Sequence, residues 1–219
     1  METPSFENCA RAGDPRLDRL ALALACELRS PVDAAAALVR LDALGEELAI
    51  ALAGRERTPA SELATTAEVL GARHGYHGEA EDYDDPDRSM LDLVLERKVG
   101  LPILLSVLYV EVGRRAGVPL AGVGLAGHFV VGHFAGERPV LADPFLRGKP
   151  LPDALSPAHV RPWTARETAL RMLNNLVGSY TARHDLSRAI RAAELRLEVA
   201  GGDREALALE LRGLQARLN

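Results

Sequence analysis

The stretch from Pro102 to Ala116 constrains this chain more than any other. Leu, Val and Ile recur there almost without interruption, and Gly100 and Pro102 open it while Gly117-Val118-Pro119 close it. Proline suits the first position of a helix, and glycine followed by proline stops one. The segment between is therefore a single helix of four turns. Apolar residues on nearly every side mean that it is buried on most sides. The rest of the chain has to supply the layers that cover it.

Beyond this helix the hydrophobic period changes. Leu120 to Leu125, His128 to Phe134 and Pro139 to Ala142 are short strand-like runs, with Ala135-Gly136-Glu137 as a turn. Neighbouring short strands of this kind most simply form an antiparallel meander packed on the buried helix. The chain before the helix is itself helical. Ser30-Pro31-Val32-Asp33 reads as a helix start with Ser30 as cap, and Leu38, Leu41, Leu44, Leu48 and Leu52 continue at helical spacing to Gly54. Thr58-Pro59 opens another helix that stops near Gly71. His74 to Asp87 has no periodicity and reads as a loop. Ser89 with Asp92 has the spacing of a capping box for a helix reaching Lys98. Helices return from about Arg166, with breaks at His184-Asp185 and at Gly201-Gly202-Asp203. The expected class is α+β, divided into an N-terminal helical region (1–83), a core (84–165) and C-terminal helices (166–219).

Composition narrows the partners. The 219 residues carry a net charge of −5, with basic residues scattered rather than clustered. Nucleic acid needs a concentrated cationic face, so it is not expected as a partner. Met1 to Asp14 shows no basic segment leading into an apolar one, and no apolar run is long enough to span a membrane. With only Cys9 and Cys26, the expectation is a reducing, cytoplasmic setting.

Three features carry potential chemistry: the helix start at Pro102, His128 opening a strand, and Asp143 ending a later one. A helix start offers unpaired N–H groups and partial positive charge, which favour a thiolate or an oxyanion. A histidine facing it moves a proton, and an aspartate fixes the imidazole tautomer. That is the logic of a Cys-His-Asp enzyme, with the thiol absent.

The run Asp85-Pro86-Asp87-Arg88-Ser89-Met90-Leu91, then Val94-Leu95-Glu96-Arg97-Lys98-Val99-Gly100-Leu101-Pro102-Ile103, resembles the signature of SirB-type proteins. Gly113-Arg114-Arg115-Ala116-Gly117-Val118-Pro119, Gly127-His128-Phe129 and Asp143-Pro144-Phe145 continue it. Such proteins are grouped with the transglutaminase-like superfamily, whose fold is that of papain-like enzymes. The resemblance implies that the nucleophilic cysteine of enzymatic members would fall at or beside Pro102. It implies that His128 and Asp143 match their histidine and aspartate, a remnant dyad. The implied cleft is lined by Glu96, Arg97, Pro102, Ser106, Gly127 and Phe129.

Other readings compete with these. Ser106 lies one turn past Pro102, but a serine inside a helix more often bonds the carbonyl one turn back. His128 and His133 are an odd number of residues apart on a strand, which sends them to opposite faces, so they are no ligand pair. His74 and His77 beside Glu79, Glu81 and Asp82 read as a solvated acidic loop. No metal and no cofactor are expected. Glu96 and Arg97 are equally consistent with surface ion pairs. Asn174-Asn175-Leu176 with Tyr180, Asp185 and Ala189 is similar to part of a tetratricopeptide-type helix pair, and Trp163 reads as a packing anchor. The leading expectation is a non-catalytic module that binds a protein or peptide, in the cleft or on the concave side of the C-terminal helices. The rival is a Cys-independent hydrolase or acyl-transfer enzyme using His128 and Asp143. Oligomeric state is not encoded in any of these features.

Overall fold

The computed structural model describes residues 5–152, 160–199 and 204–218. In chain order it has α1 (Phe6–Arg11), α2 (Leu17–Leu28), α3 (Ala34–Leu52) and α4 (Pro59–Ala67), which runs on as a π-helical turn over Glu68–Arg73. A 3-10 turn (Pro86–Ser89) precedes α5 (Leu91–Arg97) and α6 (Pro102–Arg115). The strands β1 (Leu120–Leu125), β2 (His128–His133), β3 (Val140–Asp143) and β4 (Lys149–Pro150) form one antiparallel sheet in sequential order. Three helices come after the sheet: α7 (Ala165–Ala182), α8 (Leu186–Val199) and α9 (Arg204–Leu218). This is an α+β fold.

The centre is α6. Residues Pro102 to Tyr109 are all buried, and Leu104, Leu105 and Leu108 have no solvent exposure. Burying side chains of that size stabilises by roughly 1.5–3 kcal/mol each, so the helix acts as the hub on which the other elements condense. Gly117 comes just after it at φ +71, the left-handed conformation that glycine adopts without steric cost, and Val118 N–H closes back to the Gly113 carbonyl at 2.8 Å. On β2 the alternation splits the sheet: Phe129 and Val131 enter the core around α6, whereas Val130 packs with Val123 and Leu141 on the opposite face.

A second apolar cluster joins α1, α2, α7 and α8 through Phe6, Leu24, Leu173, Leu176, Ala189 and Leu195. α2 serves both clusters, sending Leu17, Ala21 and Leu22 to the first and Leu20, Leu24 and Leu28 to the second. Trp163 covers β1: its indole lies where a side chain on Gly124 would stand, and its ring meets Phe129 edge-on at 5.3 Å.

Two helix starts differ from the sequence expectation. Asp33, not Ser30, caps α3, because its carboxylate accepts the Ala36 N–H at 2.9 Å. Ser89 and Asp92 make no capping box. Residues 86–89 close a 3-10 turn that leaves Met90 at the cap position, and Asp92 is taken instead by Arg29 at 2.7 Å. The two-residue strand β4 is not among the strands expected from sequence. The expected break at Gly201-Gly202-Asp203 lies outside the described residues.

Candidate functional site

The hairpin joining β1 and β2 has two residues, Ala126 and Gly127, with Leu125 paired to His128 and Gly127 at φ +71. That turn fixes His128 as the first residue of β2. Asp143 ends β3 and caps the next turn (Pro144–Leu146) by accepting the Phe145 N–H on Oδ1 at 2.9 Å. Its other oxygen, Oδ2, lies 2.9 Å from His128 Nε2. When the imidazole is neutral, Nε2–H donates to the carboxylate and Nδ1 is the nitrogen left with a lone pair. The His128 side chain is 31% exposed and Asp143 is 7% exposed.

Aromatic residues frame this pair. Phe145 meets the His128 ring edge-on at 6.1 Å, and Tyr83, half-exposed, lies 6.3 Å from Phe145. Burial pushes the Tyr83 phenol up, against a smaller opposing effect of the Arg171 charge. Behind the pair is Tyr109 of α6, fully buried, whose hydroxyl makes no hydrogen bond among the described residues. Burial first and then the nearby Asp143 charge drive its ionisation far above the ordinary phenol range. Of these, Phe145 falls within a motif visible in the sequence. Tyr83 and Tyr109 carried no pattern that separated them from loop and core.

The start of α6 holds no reactive group. Leu101 and Ile103 are buried, and so is Pro102, which lacks an N–H. Ser106 is fully buried, and its hydroxyl donates to the Pro102 carbonyl at 2.8 Å, so it is spent on the helix itself. Cys9 packs in the cluster of α1, α2, α7 and α8, and Cys26 is exposed on α2.

The remaining site candidates are dispersed. Gly127 lies in the hairpin turn, and Phe129, turned away from His128, is buried in the core against Trp163 rather than lining a cleft. Glu96 lines a cavity of about 430 Å³ with Arg29, Arg40 and Asp92. Arg97 lines another of about 200 Å³ with Glu79, Asp85 and Arg88, and pairs with Asp87 at 2.9 Å. Neither cavity includes His128 or Asp143. Three other histidines point elsewhere: His133 to Glu62 at 2.6 Å, His74 to Glu47 at 2.6 Å, and His77 Nδ1 to the Gly75 carbonyl at 2.8 Å. No group of metal-ligating side chains is assembled among the described residues, and no described helix is long and apolar enough to cross a membrane.

Comparison with known proteins bears on this arrangement. The model of the family described as the transglutaminase-like superfamily matches residues 35–175. A UPF0162 protein of Xylella fastidiosa is 34% identical over 163 residues, which cover 66% of this chain and 58% of that relative. A UPF0162 protein of Pseudomonas aeruginosa is 34% identical over 116 residues, covering 52% and 41%. One of Vibrio cholerae is 32% identical over 72 residues, covering 32% and 27%. The chain thus spans less than two thirds of the length of these relatives. No solved structure matches it.

Proposed function

Because the chain belongs to the transglutaminase-like superfamily, we propose that it is a non-catalytic member acting as a protein- or peptide-binding module. The observation that carries this reading is the start of α6, where Leu101, Pro102 and Ile103 are buried and apolar and the nearest hydroxyl, Ser106, is bonded to the Pro102 carbonyl. A carbonyl substrate brought there meets no nucleophile. The His128–Asp143 pair then ties β2 to β3 at the sheet margin. The C-terminal helices α7 and α8, which resemble a tetratricopeptide-type pair, add a second surface for a partner. The test is affinity capture from the native cell, with identification by mass spectrometry, using the wild-type chain and the His128→Ala/Asp143→Ala double variant. The same partner enriched by both supports binding without catalysis. Loss of all cellular function in the double variant, with its fold intact by circular dichroism, counts against it.

One observation favours a second reading. His128 is partly exposed, and its Nε2 is held by Asp143, leaving Nδ1 placed to accept a proton from water or a substrate hydroxyl. That would serve a hydrolase or acyl-transfer enzyme without a covalent intermediate. Turnover of activated esters or thioesters by the wild-type chain, abolished by His128→Ala alone, would establish it.

A further inference from the structure

A groove of about 780 Å³ runs between α7 and α9 with α8 at its base. It lies mostly beyond residue 175, where the superfamily match ends. Two of its lining residues are Gly178, well inside α7, and Gly213, well inside α9. Glycine in a helix interior is the least favourable choice after proline, so its presence calls for a reason. The usual reason is a neighbouring element packed too close for a side chain. That fails here: a Cβ at either position would meet nothing within 4 Å. Both glycines leave bare backbone facing the same groove.

A second observation gives the groove its chemistry. Arg196, 4% exposed, lines it from α8. Its Nη1 donates to Asn174 Oδ1 at 3.1 Å, which leaves the Asn174 NH₂ group as a further donor. Glu210 Oε2 stands 2.8 Å from Nη2, close enough for the charges to attract, but off the line of its N–H bonds. Nε and Nη2 are therefore buried without a hydrogen-bond acceptor, as is the hydroxyl of Thr181, another residue of the groove lining. Buried donors without acceptors are rare because they are costly. Arg217, exposed on the same groove wall, makes no ion pair among the described residues. Two guanidinium groups thus face one carboxylate in the groove, although the chain as a whole carries a net charge of −5.

The geometry points to an acidic peptide segment of a partner protein as the occupant. Its backbone lies against the bare faces at Gly178 and Gly213, and its carboxylate meets Arg217 and the edge of Arg196. This rests on the binding reading above and assigns it a place and a ligand class.

The test is panning of a phage-displayed library of random short peptides on the full chain, with binding measurements on the selected peptides. Peptides enriched in Asp and Glu are expected. Gly178→Leu should weaken them about tenfold or more by filling the groove, and Arg217→Gln, an exposed change that keeps the fold, roughly tenfold by removing a charge-assisted hydrogen bond. Gly178→Ala and Gly213→Ala should each raise Tm by roughly 2–4 °C, since the helix gains and no packing is lost. Acidic peptides that bind Gly178→Leu as well as wild type would overturn the groove while leaving the binding reading intact. Selected peptides without acidic enrichment would overturn the ligand class, and a fall in Tm on Gly178→Ala would remove the reason for assigning the glycines to a ligand. A selection that yields no binders would overturn the assignment of the groove to a peptide, and the capture experiment would then decide the binding reading by itself.

Discussion

Arg115 Nη2 donates to Asp18 Oδ2 at 2.6 Å, tying α6 to α2 across 97 residues of sequence, and Asp18 has no solvent exposure. Arg16 reaches the same oxygen at 2.6 Å, the Arg19 N–H reaches Oδ1 at 2.8 Å, and Glu111 joins through Arg115 Nη1 at 2.9 Å. α3 comes close enough to complete this joint because its Gly45 has no side chain: a Cβ there would stand 2.4 Å from Arg115 Cβ. Removing one partner of a buried ion pair strands the other, which costs ~3–5 kcal/mol. Asp18→Ala should lose that much in urea denaturation. Asp42→Ala, which removes the exposed partner of Arg115, should lose less than about 1 kcal/mol. Equal losses would mean that the network is no more than surface charge.

Part of the acid sensitivity should trace to Glu62. His133 Nδ1 accepts the Ala135 N–H at 3.3 Å, so the ring carries its proton on Nε2 and donates it to Glu62 Oε2 at 2.6 Å. Glu62 Oε1 accepts from Arg57, which also reaches the Gly117 carbonyl past the end of α6. Burial alone would raise the Glu62 pKa, but the hydrogen bonds from His133 and Arg57, together with the Arg57 charge, outweigh it and hold the carboxyl below its ordinary range. A depressed folded-state pKa contributes stability that is complete above the unfolded value, about 4.3, and is lost as pH falls through the folded one. Tm should therefore drop below about pH 4. Glu62→Gln should lower Tm at neutral pH, because its NH₂ group faces a donor, and should flatten the acid limb of the Tm–pH curve. An unchanged acid limb would assign the sensitivity to other carboxylates.

The parts of the fold that could be read in the sequence are those whose causes are local. Gly100, Pro102 and Gly117-Val118-Pro119 bracket α6, and Thr58 caps α4 by accepting the Ser61 N–H, because those choices act within one turn of the chain. β4 was not legible: Lys149–Pro150 is exposed and too short to show alternation. The capping box at Ser89 failed because residues 86–89 close a 3-10 turn that puts Met90 at the cap, and Asp92 faces Arg29, 63 residues away. The dispersal of Glu96, Arg97 and Phe129 away from His128 is likewise tertiary, since adjacency in a motif does not say which cavity each side chain enters. The Glu62–His133 contact, separated by 71 residues, has no sequence signal at all.

Gly78 sets how the loop after the π-helical turn lies on the candidate site. Its N–H donates to the Phe145 carbonyl at 2.9 Å, and a Cβ on it would stand 1.8 Å from Phe145 Cδ2. Gly78→Ala forces that ring or the loop to shift, so a loss of about 1–3 kcal/mol is expected, of the size seen for overpacking. The displaced ring is the one meeting His128 edge-on, so the His128 Cε1–H and Cδ2–H resonances should move as well. Destabilisation with unmoved His128 resonances would show that the loop, not the ring, gives way.

Asp143 should dictate which nitrogen of His128 carries the proton. In the wild-type chain the carboxylate accepts from Nε2–H, so neutral His128 should show the Nε2–H tautomer by ¹⁵N NMR, with Nδ1 as the basic nitrogen. Asp143→Asn keeps the size and shape of the side chain. Its single carbonyl oxygen remains on the Phe145 N–H that Oδ1 now accepts, which turns the NH₂ group toward the ring. A donor facing Nε2 requires a lone pair there, so the tautomer should switch to Nδ1–H and the outward-facing nitrogen lose its basicity. The fold should survive, because a partly exposed hydrogen bond contributes only about 0.5–1.5 kcal/mol. If binding of a captured partner persists through the switch, the imidazole acts as a strut between two strands; if an esterase or thioesterase activity disappears with it, the lone pair on Nδ1 belongs to a reaction. Retention of the Nε2–H form in Asp143→Asn would mean that something other than Asp143 orients the ring.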